Sequence, residues 1–317
     1  MNLSIKEKIY GALFGYAIGD ALGLGTEFMT RGEAGRRYPG GLRDYSKIIR
    51  DVHRSMWRRG EWTNDTEEVL AVTESICACG RPDCNDFAHR LHEFYCRRPD
   101  DMPAHMRWLF NDRNYLDDPV ETAKSVWHKM KNLDASNECL GREVIIGLWS
   151  DNLRENALRF CQLTHPHPRC ECSALLVATM TNSLMWHDRP ADLGTLLSIA
   201  NDIDPATLEF VEMAHDGKLS EMNLDDPSTL WYVRKAMGSA LWVLFHCDSP
   251  EEGLYMLVDA AGDADTNAAL GTALLGLKYG YSALPGALVE NLLGRERVEA
   301  AADSLCKLLT EKFSPIS

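Results

Sequence analysis

Apolar residues recur at three- and four-residue intervals along most of the chain, which is the spacing of one face of an α-helix. Alternating strand patterns bounded by turn residues are almost absent. The pattern predicts helices over Ile5–Leu22, Glu67–Cys77, Asn85–Tyr95, Val120–Met130, Cys172–Trp186, Leu193–Ile199, Pro227–His246, Glu252–Ala261, Asn267–Tyr279 and Val298–Phe313. No long low-complexity linker divides these runs, so we predict one all-α domain over residues 1–317.

Two features interrupt the simple helical pattern. The first run carries Gly11, Gly15, Gly19 and Gly23 on one stripe, which predicts close approach of another helix at a cost of about 1 kcal/mol for each glycine. The segment Arg31–Glu61 is the longest without periodicity and contains eight arginines. A long ordered loop of this kind is often a functional lid or rim, and a surface excursion is the alternative.

Composition and charge narrow the possible partners. The chain has 317 residues, of which 45% are hydrophobic and 25% charged, as is usual for a soluble globular protein. Its formal net charge of −14 disfavours general affinity for nucleic acid or anionic membranes. The apolar run near the N-terminus, Ile9–Ile18, is too short to span a bilayer. We therefore predict a cytoplasmic protein with neither nucleic acid nor membrane as a partner; the sequence leaves the oligomeric state open.

Ten cysteines are present, and without a secretory signal free thiols are favoured over a disulfide framework. The segment HPHPRCEC, from His165 to Cys172, and the cluster between Cys77 and Cys84 offer candidate zinc ligands. Their spacing fits no common zinc module. Structural loops with buried thiols are the favoured interpretation, and zinc binding is the alternative.

Two acidic segments stand directly before helical runs. One reads WTNDTEE and begins at Trp62; the other reads GDADTNAAL and begins at Gly262. Helix capping explains one oxygen at each start, for example Asp65 with Glu68 three residues later. It does not explain the remaining oxygen-bearing side chains of either segment.

Divalent metal binding would explain those remaining oxygens. Asp263 and Asp265 repel one another unless something positive lies between them, and a helix N-terminus supplies only about 0.3–1 kcal/mol per charge. Carboxylate, amide and hydroxyl oxygens suit magnesium, manganese or calcium. If the two segments met, one or two ions would be enclosed by Thr63, Asn64, Asp65, Asp263, Asp265 and Thr266. Spacing alone leaves this arrangement and two independent caps equally favoured.

Four motifs in order along the chain resemble those of the ADP-ribosylglycohydrolase family. They are GALFGYAIGDALGLGTEF, EWTNDTE, LTHPHP and GDADTNAALGTALLG, and together they extend from Gly11 to Gly276. This family includes the dinitrogenase reductase-activating glycohydrolase and the ADP-ribosyl-acceptor hydrolases. The resemblance implies a compact multi-helix domain with two magnesium ions, often replaceable by manganese, in a central cleft.

The resemblance also implies a reaction and roles for particular residues. Family members hydrolyse the N- or O-glycosidic bond at C1″ of ADP-ribose in an ADP-ribosylated protein or a small ADP-ribosyl conjugate. Glu27 would lie in the loop that approaches the ribose, and Glu27 or Asp65 would be the catalytic base. Asn137 and His165 would contact the substrate. The implied metal ligands are Thr63, Asp65, Asp263, Asp265 and Thr266.

The chain departs from the family pattern at two places. Asn64 stands where the family has an aspartate, so one ion should bind more weakly. Glu138 and Ile145 stand where the family has glycine and proline, and a glutamate there would crowd or repel a diphosphate. The arginines of Arg31–Glu61 could compensate or select another anionic group. The alternative function is therefore a catalytically weak or inactive member that binds ADP-ribose or a nucleotide.

Overall fold

The protein, described by a computed structural model over residues 3–98, 102–131 and 135–313, consists of helices joined by turns. Within those ranges no strand ladder forms, and extended segments meet only in two isolated bridges, Glu27 with Gly262 and Ser136 with Tyr232. The all-α prediction is confirmed.

Sixteen α-helices lie in the described residues. They are Ile5–Gly23 (α1), Arg31–Arg37 (α2), Asn64–Cys79 (α3), Cys84–Arg97 (α4), Ala104–Phe110 (α5), Pro119–Lys129 (α6), Leu140–Leu148 (α7), Leu153–Gln162 (α8), Pro168–His187 (α9), Leu193–Ile203 (α10), Leu208–Asp216 (α11), Val233–His246 (α12), Pro250–Ala260 (α13), Ala264–Tyr279 (α14), Gly286–Glu290 (α15) and Arg295–Phe313 (α16).

Helices α1 and α14 form the centre of the fold. Almost every residue of both is buried, and the two helices cross in close antiparallel contact. A Cβ added at Gly11, Gly15 or Gly19 would lie 2.1, 2.5 or 2.4 Å from a backbone oxygen of α14. The glycine stripe therefore lets the two backbones touch, as the spacing predicts. The antiparallel contact places the C-terminal end of α1 beside the N-terminal end of α14.

The remaining helices pack around this pair. Helices α12 and α13 contact α14, and helices α3 and α16 contact α1. Helices α7, α8 and α9 form a neighbouring layer in which α7 is buried along its whole length. The loops at the shared end of α1, α3 and α14 are consequently held by helices on several sides.

The predicted helix over Pro227–His246 is wrong in its first part, because α12 begins at Val233. The preceding residues form a turn in which Asp226 Oδ1 accepts hydrogen bonds from the backbone N–H and the hydroxyl of Ser228, at 3.0 and 2.8 Å. The Lys235 ammonium donates to Thr229 Oγ1 at 2.6 Å. These local bonds offer the backbone an alternative to the helix.

Six helices were not predicted from periodicity: α2, α5, α7, α8, α11 and α15. Each has only five to ten residues, too few turns for a repeating pattern to stand out. Helix α7 in addition has no solvent-exposed face, because all nine of its residues are buried, including Arg142 and Glu143.

All ten cysteines are free thiols, as the sequence indicates. In the described part of the chain, neither group of three potential metal ligands contains a cysteine, although one of them includes His165 from the HPHPRCEC segment. No helix among the described residues has the length and apolar character to cross a bilayer.

Substitution Gly19→Ala tests the central helix contact. In an isolated helix alanine is favoured over glycine by about 1 kcal/mol, but here the new Cβ would lie 2.4 Å from the Ala268 carbonyl oxygen. We expect a loss of roughly 1–3 kcal/mol or more in the free energy of unfolding, measured by urea denaturation.

The matched control is Gly35→Ala in α2, where an added Cβ meets no atom within 4 Å. This variant should be unchanged or more stable by up to about 1 kcal/mol. Equal effects of the two substitutions would contradict the backbone contact as the reason for the glycine stripe.

Candidate functional site

A buried carboxylate at the end of α1 organises the start of α3. Asp20 accepts hydrogen bonds from the backbone N–H groups of Thr63 and Thr66, both at 3.0 Å, and from the Thr66 hydroxyl at 2.6 Å. Burial raises the pKa of Asp20 to about 6, against the opposing effect of these hydrogen bonds. The sequence analysis did not identify Asp20 as a site residue; the available signal was one carboxylate in the otherwise uncharged stretch from Ile9 to Gly23.

The two acidic segments meet in space. The Thr266 hydroxyl at the start of α14 donates to Asp65 Oδ2 at 2.7 Å, and Thr63 caps α3 by accepting from the Asp65 backbone N–H at 3.3 Å. Asp263 and Asp265 lie at the same helix start. Capping of α3 by Thr63 and the meeting of the two segments therefore occur together. The expected cap by Asp65 does not form, because Thr63 occupies the N-cap position, and no described side chain caps α14.

Three carboxylates converge beside this junction. One oxygen from each of Glu27, Asp263 and Asp265 lies within 4.8 Å of the others. Burial, followed by repulsion from neighbouring carboxylates, raises the pKa of Asp265 well above its usual value. Burial also raises the pKa of Asp263 to about 7. The three carboxylates are buried close together, so their negative charges repel one another.

Backbone hydrogen bonds fix Glu27 against the second acidic segment. The Phe28 N–H donates to the Gly262 carbonyl at 2.7 Å, and the Gly262 N–H donates to the Met29 carbonyl at 2.9 Å. Gly262 has φ of 74°, and an added Cβ there would lie 2.0 Å from the Leu224 carbonyl oxygen. Glycine is therefore required where the two segments join.

His53 is a cleft residue that the sequence analysis missed. Its Nε2 lies 2.5 Å from Glu27 Oε2, and this hydrogen bond is the main cause that raises the pKa of the His53 imidazole. The next residue, Arg54, is buried and donates to the Gly25 carbonyl at 2.9 Å and also to the Glu27 carbonyl. The Arg31–Glu61 segment thus holds the Glu27 loop in place.

The arginines of the Arg31–Glu61 segment were expected to contact an anionic group of the substrate, but they do not line the cleft. All eight are within the described residues, and none of them lines the cleft around Glu27. Arg43, for example, pairs with Asp259 at 2.6 Å instead. The segment contributes His53, Met56 and Trp57 to the cleft wall, so its part of the rim consists of an imidazole, a thioether and an indole rather than arginines.

Of the two expected substrate contacts, Asn137 lines the cleft and His165 does not. The Asn137 side-chain amide donates to Asp263 Oδ2 at 2.5 Å, so Asn137 orients one of the three converging carboxylates. His165 lies 3.2 Å from Glu138 Oε2. Burial opposes ionisation of Glu138, but the positive charge of His105 and the His165 hydrogen bond outweigh it and lower its pKa to about 2.

Asn64 borders the cleft at the start of α3. Its amide donates to the Tyr95 hydroxyl at 3.2 Å and to Asp65 Oδ1 at 3.3 Å. The amide therefore satisfies the Asp65 oxygen that does not accept from Thr266.

The cleft has a volume of about 650 Å³, which is within the usual range for a small-molecule site. Its mouth carries the half-exposed apolar side chains of Phe28, Met56 and Trp231. Its floor carries Asp65, Asp263, Asp265, Thr63 and Thr266 together with Glu27.

The donor set fits hard divalent cations. Every candidate ligand on the floor is a carboxylate or hydroxyl oxygen, the type preferred by Mg²⁺ and Mn²⁺. Asp265 Oδ1 is buried and accepts no hydrogen bond from the described residues. Such an oxygen is costly unless an ion or water binds it. The residues present are therefore suitable for one or two such ions.

Known proteins are similar to this chain in sequence and in fold. The sequence model of a family described as ADP-ribosylglycohydrolase matches residues 1–315. The chain is 27% identical over 302 residues to the ADP-ribosyl-(dinitrogen reductase) glycohydrolase of Rhodospirillum rubrum, covering 91% of each chain. It is 23% identical over 313 residues to the ADP-ribosylarginine hydrolase Tri1 of Serratia proteamaculans, covering 96% of this chain and 81% of that protein. A solved ADP-ribosylglycohydrolase-related protein complex superposes with a TM-score of 0.75 at 26% identity, covering 96% of this chain and 98% of the other.

Metal removal should make stability depend on pH. Asp20 and Asp263 have pKa values of about 6 and about 7, against about 3.9 in the unfolded chain. Between about pH 4 and pH 7 the native state binds more protons, so the free energy of unfolding should fall as pH rises, by at most about 1.4 kcal/mol per pH unit for each such carboxyl. Urea unfolding of EDTA-treated protein measures this slope.

Excess Mg²⁺ should flatten the slope, because coordinated carboxylates ionise without the penalty of an unpaired buried charge. Asp265→Asn should also flatten it in the metal-free protein. Asp202→Asn, which changes an exposed aspartate paired with Arg154, should leave it unchanged. A metal-free protein of constant stability from pH 5 to pH 7 would contradict the repulsion inferred for the cleft floor.

Proposed function

Because the chain belongs to the ADP-ribosylglycohydrolase family, and is thus a glycosidic-bond hydrolase, we propose that it removes ADP-ribose in a Mg²⁺-dependent reaction. The substrate would be an ADP-ribosylated protein or a small ADP-ribosyl conjugate, and Mn²⁺ would substitute for Mg²⁺. The observation that carries the proposal is the convergence of Glu27, Asp263 and Asp265 on the floor of a ligand-sized cleft.

The residues proposed to hold the ions are those whose oxygens line the floor. They are Thr63, Asp65, Asp263, Asp265 and Thr266, with Glu27 close enough to contribute and Asn64 at the edge. When bound, the ions would neutralise these carboxylates, orient ribose hydroxyls and lower the pKa of a bound water. Asn137 would keep the Asp263 carboxylate in position through its 2.5 Å hydrogen bond.

The chemical step is hydrolysis at C1″ of the ribose. As the bond from C1″ to the acceptor atom breaks, positive character develops on the sugar ring, and a water oxygen bonds to C1″. Glu27 would take one proton of that water and return it to solvent, and the departing acceptor atom would take up one proton from solvent, so that one water is consumed overall. The hydrogen bond with His53 at 2.5 Å holds the Glu27 carboxylate at a defined angle. Asp65 already accepts a hydrogen bond from Thr266 and is a proposed metal ligand, so Glu27 is the proposed base.

The acceptor and the compartment follow from other observations. The names of the two relatives give ADP-ribosyl-(dinitrogen reductase) and ADP-ribosylarginine as their substrates, so arginine is the first acceptor to test. The half-exposed apolar rim of Phe28, Met56 and Trp231 suits the aliphatic or planar part of an acceptor. Ten free thiols support a reducing, cytoplasmic location.

The direct test is incubation of the protein with ADP-ribosyl-arginine and ADP-ribosyl-serine, each with Mg²⁺ and with EDTA. We expect release of ADP-ribose that requires the metal, detected by chromatography. Binding of ADP-ribose without turnover of either substrate would instead identify an inactive binding module and contradict the proposal.

Glu27→Gln should lower kcat by about 10²–10⁴-fold, because the amide cannot accept the proton. Parallel Mg²⁺ titration by calorimetry separates loss of the base from loss of a ligand. Glu33→Gln in α2, which changes a glutamate paired only with Arg37, is the control and should keep normal activity. Wild-type kcat in Glu27→Gln would remove Glu27 from the mechanism.

Asn64→Asp should tighten Mg²⁺ binding, because it adds a negative charge beside Asp65 on the cleft edge. Calorimetric titration of the metal-free proteins measures the affinity, and urea unfolding checks that the new carboxylate has not destabilised the fold. An unchanged dissociation constant would show that position 64 is not a ligand in the weaker site.

A further inference from the structure

A second group of potential metal ligands lies beside the same cleft but away from its acidic floor. It consists of His105 in α5, Glu138 in the turn before α7, and His165 between α8 and α9. One ligand atom from each lies within 4.8 Å of the others. Three separate segments of the chain supply these atoms, and the fold brings them together.

We propose that His105, Glu138 and His165 form a binding site for a transition-metal dication such as Zn²⁺. Two imidazole nitrogens and one carboxylate oxygen suit zinc or cobalt, whereas the oxygen-only floor suits Mg²⁺. The chemistry of the two groups therefore separates the ions that each would bind.

The geometry is close to that of a bound ion. Ligand atoms at about 2.0–2.1 Å from a tetrahedral zinc lie roughly 3.3 Å from each other. His165 Nε2 and Glu138 Oε2 are 3.2 Å apart, and Ser136 Oγ is 3.2 Å from the same nitrogen. The Ser136 hydroxyl or a water would complete four ligands. The third protein ligand atom, from His105, lies within 4.8 Å of the other two.

A hydrogen bond to the other ring nitrogen orients His165. Its Nδ1 lies 2.7 Å from Thr164 Oγ1, and Thr164 is itself buried. In metal-binding histidines, the nitrogen that does not bind the ion commonly donates to such an oxygen, which directs the other nitrogen at the metal. Thr164 is placed for this supporting role.

Access and burial also favour an ion. His105 and Glu138 both line the cleft, which offers a route from solvent. Both imidazoles are buried, at 7% and 3% exposure, and buried ligands hold an ion in fixed geometry.

An ion at this site would change the charge of the cleft wall. A dication with one carboxylate and two neutral imidazoles has a net charge of +1, whereas Glu138 alone would repel a phosphate. The site would thereby offset the glutamate that distinguishes this chain from the family pattern. This consequence rests on the proposed function; metal binding itself does not.

The test uses the full chain, stripped with EDTA, dialysed, and kept in excess Mg²⁺ so that the oxygen-lined floor is occupied. Titration with Co²⁺ should give about one ion per chain, with the strong visible absorption of four- or five-coordinate cobalt. Zn²⁺ added afterwards should displace it. Neither readout depends on hydrolytic activity, so failure here leaves the proposed hydrolase untouched.

Three variants locate the site. His105→Asn and Glu138→Gln should abolish the cobalt absorption, and Thr164→Val should weaken Co²⁺ binding by about 10–100-fold. His215→Asn is the matched control, since His215 pairs with Asp216 at 2.7 Å on the surface away from the cleft. Circular dichroism verifies folding, and Glu138→Gln, which preserves side-chain shape, decides the question if His105→Asn fails to fold.

Absence of visible absorption in the wild-type protein would overturn the proposal. The same conclusion would follow if Glu138→Gln bound Co²⁺ as tightly as the wild-type protein. Absorption in the near ultraviolet from cobalt–thiolate bonds, retained in both ligand variants, would assign binding to cysteines elsewhere and would also overturn it.

Discussion

Backbone contact between α1 and α14 is the constraint on which the rest of the structure depends. The two helices touch at carbonyl oxygens, where a single Cβ would overlap, as Gly11 and Gly276 demonstrate at either side of the contact. This closeness sets the position of both helix ends to within a small tolerance, because two packed backbones do not slide without a clash. Asp20 near the C-terminal end of α1 and Asp265 at the N-terminal end of α14 are consequently both placed beside α3.

The cleft floor concentrates negative charge in a buried space. Asp65, Asp263 and Asp265 all have pKa values raised by burial, so holding these groups together in their ionised form costs stability. A purely structural role would be served better by apolar side chains of similar volume. The arrangement is suited instead to divalent cations, which bind such oxygens, and its cost explains why the floor is braced by hydrogen bonds from Asn137 and Thr266.

The departures from the family pattern acquire a physical meaning in the structure. Glu138 is not a bare charge facing substrate, since His105 and His165 surround its carboxylate. The Arg31–Glu61 segment does not present its arginines to the cleft, but it supplies His53 to Glu27 and uses Arg54 to tie down the Glu27 loop. Glu138 and the Arg31–Glu61 segment were both expected to act on the substrate through their charge. In the structure, Glu138 contacts His165 and the segment contacts Glu27.

The sequence by itself determined the helical architecture, the glycine-mediated helix contact and the acidic segments at Asp65 and Asp263, because periodicity, side-chain size and local charge are written in neighbouring residues. Short helices such as α7 were not predicted, since nine residues make too few turns for a period to stand out. Only the tertiary structure decided that Thr266 meets Asp65, that His53 meets Glu27 and that His105 joins Glu138 and His165. Those pairs are separated by long stretches of chain, and their meeting depends on how the helices pack, which no local pattern encodes.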